Sequence, residues 1–111
     1  MSLHKFGRVT PLQMAMLRLA GEDVLRGGSG PLTDIQRVDA MKKGREALMR
    51  RTGLDFSYDI AAWNDFLLSD ASLSEEYKFN FAWRAVQQKL EERIHDPNHA
   101  RLAAMCMEES T

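Results

Sequence analysis

Twice in its first 36 residues this chain places a threonine three positions before a glutamine at the head of an apolar stretch, T-P-L-Q at 10–13 and T-D-I-Q at 33–36. That is the sequence form of a capping box: the hydroxyl accepts from the backbone N–H three residues on, and the glutamine side chain accepts from the N–H of the cap residue. The device serves helix starts, so both segments read as helices. Pro11, whose ring fixes φ near the helical value, strengthens the first start. Leu12, Ala15, Met16, Leu19 and Ala20 then recur at helical spacing, with Val24 as a weak continuation before G-G-S-G at 27–30 ends the element.

The second helix carries Ile35, Val38, Met41 and Leu48 on one stripe and ends at Gly53, with Leu54 placed for the hydrophobic contact of a Schellman ending. Gly44 in its interior costs about 1 kcal/mol relative to alanine, which points to a close helix crossing at that position. Asp59 caps a third helix with Ile60, Trp63, Phe66 and Leu67 on its apolar side. Ser72 with Glu75 starts a fourth, whose face of Phe79, Ala82 or Trp83, Val86, Leu90 and Ile94 runs on to His95. Asp96 and Pro97 open a last helix that packs through Ala100, Ala103, Ala104 and Met107.

No segment shows the alternation or the β-branched enrichment of a strand. The expected fold is therefore all-α, a compact bundle of about five helices, either irregular or built as helical hairpins rather than as a long coiled coil. At 111 residues, with 44% hydrophobic and 28% charged side chains, the composition is that of one globular domain over 1–111, with residues 1–9 as a candidate mobile tail. The single cysteine, Cys106, has no internal disulfide partner and suits a reducing, cytoplasmic setting. No apolar run approaches the ~20 residues that span a bilayer, so a membrane is not expected as a partner.

Charge is divided along the chain. Residues 1–53 hold ten Lys/Arg against five Asp/Glu, and residues 54–111 hold five against eleven, although the net charge is only -1. Between Thr52 and Tyr77 there is no cation at all, while Asp55, Asp59, Asp65, Asp70, Glu75 and Glu76 fall there. Either folding pairs the halves or the molecule displays them.

Candidate chemistry is sparse. His95 and His99 have the four-residue spacing of two metal ligands on a helix, but Pro97 sets a helix boundary between them, so a solvated junction is expected and no metal or cofactor is assigned. Lys42, Lys43, Arg45, Arg50 and Arg51 would allow the second helix to meet phosphates, yet no aromatic-interleaved basic stripe or recognition-helix pattern accompanies them. No glycine-rich phosphate loop and no nucleophile with a neighbouring base is present, which argues against an enzyme.

The segment R-E-A-L-M-R-R-T-G-L-D-F-S-Y-D-I-A-A-W-N-D-F-L, residues 45–67, resembles the T-G-x-D-F-G-Y-D-x-x-x-W segment of bacterial HEAT-repeat-like helical proteins. Thr52, Gly53, Asp55, Phe56, Tyr58, Asp59 and Trp63 fit it, and Ser57 stands where glycine is usual. The resemblance implies HEAT-like helical hairpins and a capping device in a scaffold or binding surface rather than a reaction.

These features together lead to a non-catalytic protein-interaction module. Its expected contact is an acidic surface of Asp55, Asp65, Asp70, Glu75 and Glu76 with Trp63, Phe66 and Tyr77 as aromatic anchors, docking a basic protein. The most concrete form is a small bacterial immunity protein that neutralises a basic toxin. The alternatives are a regulatory or nucleic-acid-associated protein using the basic second helix, and a homo-oligomeric structural subunit.

Overall fold

In the computed structural model, which describes residues 9–22, 32–79 and 81–109, both threonine–glutamine pairs close as capping boxes. Thr10 opens α1 (Pro11–Leu19) and Thr33 opens α2 (Asp34–Thr52). They are followed by α3 (Ile60–Ser69), α4 (Ala71–Tyr77), α5 (Ala82–Ile94) and α6 (Pro97–Glu109). The described residues contain six helices and no strand, an all-α bundle. Val24, the G-G-S-G breaker and residues 1–8 of the expected tail lie outside the described residues.

The axis of the bundle is α1. Its sequence is apolar nearly all round, and a helix of that kind is stable only when neighbours cover every side. Leu12, Met16, Leu17 and Leu19 are buried, and α1 touches α2, α3, α4 and α5. α2 runs antiparallel to it: Arg37 lies beside Gly21, Gly44 meets Ala15 and Leu19, and Ala47 shares a groove with Pro11 and Leu12. At Gly44 the two backbones approach so closely that a β-carbon would stand 2.4 Å from the Leu19 nitrogen and 2.7 Å from the Ala15 oxygen. The crossing expected from a lone interior glycine is there.

Gly53 ends α2 in the left-handed conformation at φ 75, with its N–H donating to the Met49 oxygen at 2.8 Å. The ending is the simpler αL motif rather than the expected Schellman motif. The Leu54 N–H donates to the Thr52 hydroxyl instead of to a helix carbonyl, and the Leu54 side chain is exposed. In the connection to α3, Ser57 occupies the position where the resembled segment has glycine, and it adopts φ 56. Its carbonyl accepts the Trp63 indole N–H at 2.9 Å, while Phe56 meets the Trp63 ring edge-on at 4.8 Å between centroids. Asp59 caps α3 through the Ala62 N–H, as expected.

The expected fourth helix divides. Its cap is Asp70, whose carboxylate accepts from the Ser72 and Leu73 N–H groups, and the helix breaks between Tyr77 and Ala82 to leave α4 and α5. Gln13 accounts for the break. Its buried side chain accepts from the Thr10 N–H at 2.9 Å, completing the capping box, and its amide nitrogen donates to the carbonyls of Tyr77 at 2.9 Å and Phe79 at 2.8 Å. Carbonyls at the end of α4 that would otherwise seek helical partners are taken by α1. Phe79, expected on the inner face, is exposed as a result, and Ile94 at the end of α5 is also exposed.

His99 corrects a second expectation. It lies in the first turn of α6, but it is buried rather than solvated. Its Nε2 is 3.1 Å from the Leu19 carbonyl, which can only accept, so Nε2 carries the proton and closes a free acceptor at the end of α1. Cys106 is also buried, its sulfur 3.8 Å from the Val38 carbonyl.

Candidate docking surface

A carboxylate is available to a partner only if the fold has not already engaged it. Asp55 is engaged on both oxygens: Arg45 reaches it as a two-pronged donor, with Nε at 3.0 Å, and the Ser57 N–H donates at 2.8 Å. The Arg45 guanidinium, followed by the Ser57 N–H, holds the Asp55 carboxyl below the usual carboxylate range. Glu76 accepts from Arg51 and from the Leu12 N–H at 3.1 Å, and it too is held low, chiefly by Arg51. Arg45 and Arg51 belong to the basic half of the chain and their partners to the acidic half, so these pairs cancel charge inside the molecule. Asp70 is the cap of α4, and the Leu73 N–H is the main cause of its lowered pKa.

The aromatic anchors move as well. Trp63 and Tyr77 are both 0% exposed and present no surface to a partner, which corrects their expected role. The Tyr77 hydroxyl donates to Asn64 Oδ1 at 2.6 Å, and burial pushes its phenol well above the ordinary value. Phe66 is half-buried against Phe56, 5.8 Å between ring centroids. Of the eight residues expected to form the acidic docking surface, Asp65 and Glu75 are exposed carboxylates with no described partner. The basic side of α2 is engaged in the same way. Besides Arg45 and Arg51, Lys43 meets Asp39 at 3.0 Å and Arg50 meets Glu46 at 3.6 Å.

What the sequence reading missed is the connection from α4 to α5. Phe81 is 100% exposed and Phe79 64% exposed, on either side of residue 80. Lys78 and Arg84 flank them, exposed and making no ion pair or side-chain hydrogen bond among the described residues. A signal was present in K-F-N-F-A-W-R: residues two apart lie roughly opposite each other on a helix, so Phe79 and Phe81 could never have shared one buried face. On its α4 side Gln13 holds the carbonyls of Tyr77 and Phe79, and the Tyr77 ring packs edge-on against Trp83 at 4.7 Å between centroids.

Elsewhere a groove of about 340 Å³ lies between residues 57–61, the end of α5 and α6. Its lining is chiefly apolar, including Ile94, Ala103 and Met107. Its carboxylate, Asp59, caps α3 and its imidazole, His99, bonds Leu19, so both are occupied with the fold. Among the described residues there is no group of three or more His, Cys, Asp or Glu suited to a metal ion, and no helix is long and apolar enough to cross a membrane.

Among the described residues, fold and surface thus define an all-α bundle of six helices that exposes Phe79 and Phe81 between the exposed cations Lys78 and Arg84. No protein-family model matches the chain, and neither a curated protein nor a solved structure matches it.

Proposed function

We propose that this chain is a non-catalytic protein-interaction module and that its contact is centred on Phe79 and Phe81. The observation that carries this reading is the exposure of two large aromatic side chains, Phe79 and Phe81, beside carbonyls of Tyr77 and Phe79 that the buried Gln13 holds. Aromatic residues dominate interface energetics, and a pre-organised backbone lowers the ordering cost of binding. The more specific form, a cytoplasmic bacterial immunity protein that blocks a basic toxin, draws on Asp65 and Glu75, because Asp55, Asp70 and Glu76 are engaged within the molecule.

Affinity capture from the native cells tests the reading with three baits: wild type, Phe79→Ser/Phe81→Ser and Asp65→Lys/Glu75→Lys. A protein held by the wild type and lost from the phenylalanine variant supports the module. Its further loss from the charge-reversal variant supports a basic partner. The same captured set with all three baits would overturn the proposed contact.

A further inference from the structure

The geometry points to a ligand site in the groove between residues 57–61, the end of α5 and α6, suited to a small, neutral, flat molecule that carries one N–H or O–H donor. Its volume of about 340 Å³ falls in the span of small-molecule pockets, roughly 300–1,000 Å³. Ile60 and Ala61 of α3, Ile94 of α5, and Ala100, Ala103 and Met107 of α6 give it an apolar lining. The three alanines form a low wall on which a ring can lie, and a methionine thioether such as that of Met107 makes favourable contacts with aromatic rings.

One atom sets the polarity of the ligand. The fold uses His99 through Nε2, which donates to the Leu19 carbonyl at 3.1 Å, so in the neutral ring Nδ1 is a bare acceptor. Burial, the main cause of the lowered His99 pKa, keeps the ring in that neutral form. Nδ1 has no hydrogen-bond partner among the described residues, and it is not among the side-chain atoms that the fold seals from solvent without one. His99 is 9% exposed and lines the groove, so this acceptor is reached from there. Solvent entering the groove satisfies it, and a ligand that displaces that solvent must bring a donor of its own or leave the nitrogen unpaired. An anion would find no arginine or lysine in the lining and would meet the Asp59 carboxylate. A cation would give up its hydration against an apolar wall, at high cost. A ring with one neutral donor meets neither obstacle.

Indole, and benzofuran with an oxygen in place of the indole N–H, test the assignment by nuclear magnetic resonance titration of the full chain. Indole is expected to shift the amide signals of Ala61, Ala100 and Ala103 saturably and to move the His99 Nδ1 resonance. Benzofuran should bind about fivefold or more weakly, the worth of one neutral hydrogen bond, and leave the bonding of Nδ1 to solvent disrupted rather than replaced. Ala100 is exposed, so Ala100→Trp can place its own ring over the groove without disturbing the core, and it is expected to abolish the saturable shifts of Ala61 and Ala103 while circular dichroism shows the helices intact. The two wild-type titrations stand without that variant. An absence of saturable shifts with indole, shifts centred away from the groove, equal affinity for indole and benzofuran, or undiminished binding by a folded Ala100→Trp protein would each overturn the site.

Discussion

At the scale of single residues, two backbone positions place opposite demands on the side chain. Alanine is ordinarily the better helix former by about 1 kcal/mol, yet at Gly44 the added carbon would collide with the α1 backbone rather than with a flexible side chain. Gly44→Ala is therefore expected to destabilise the protein by about 2 kcal/mol or more despite the propensity gain, read as the loss of unfolding free energy in urea. An unchanged midpoint would refute the close crossing. Ser57 presents the opposite situation, a side chain kept at φ 56 where glycine is at ease. Ser57→Gly is expected to leave stability unchanged or raise it by up to about 1 kcal/mol, and Ser57→Val to lower it by about 1–2 kcal/mol, because a branched β-carbon crowds the left-handed conformation. Equal thermal midpoints for the glycine and valine proteins would contradict this. Gly44 was legible in the sequence because a glycine inside a helix costs stability unless something crosses it, and the Asp59 cap because its partner is three residues away. The burial of His99 was not, because its partner, Leu19, is 80 residues distant.

At the scale of elements, local signals marked helix starts well and one helix break badly. Thr10, Thr33, Asp59 and the Asp96–Pro97 pair all begin helices near where the sequence places them. The α4–α5 boundary has no proline or glycine to announce it, and the apolar spacing from Phe79 to Ile94 reads as one continuous face. What divides it is Gln13, more than 60 residues earlier, whose second role beyond the capping box no local pattern encodes. Gln13→Met retains the volume of the side chain but leaves the Tyr77 carbonyl without this donor inside the protein. The variant is expected to lose about 2–4 kcal/mol in urea denaturation, given about 1–3 kcal/mol for each buried group left unpaired. A loss below about 1 kcal/mol would mean that the two carbonyls find other partners and that the connection is not held from α1. The candidate docking residues were misplaced for the same reason. Which carboxylates stay free depends on Arg45 and Arg51 reaching across from α2, 10 and 25 residues from their partners.

At the scale of the whole molecule, α6 is fastened to the end of α1 by one neutral imidazole, and this makes stability depend on pH. Burial is the main cause that lowers the His99 pKa from its ordinary 6.5. The Leu19 carbonyl and Asp96 work against the shift, while Arg93 and Arg37 work with it. The folded state therefore takes up a proton at His99 less readily than the unfolded state does. Where the unfolded chain binds more protons, stability rises with pH, so this contribution is fully present above about pH 6.5 and is lost as the pH falls through the folded value. The engaged carboxylates Asp55, Glu76, Asp70 and Asp96 have lowered pKa values, and they lose their contributions in a more acidic window, below their ordinary values of 3.8 to 4.5. The two windows are separate enough to assign. Unfolding free energy measured in urea is expected to decline from pH 7 to pH 5 in the wild type and to stay nearly level over that range in His99→Gln, whose amide can still donate to Leu19 but does not titrate. Both proteins should then weaken together below about pH 4.5, where the paired carboxylates take up protons. A wild-type profile that is flat between pH 7 and pH 5, or a glutamine variant that keeps the full slope, would remove His99 as the group that links the closing of the bundle to proton concentration.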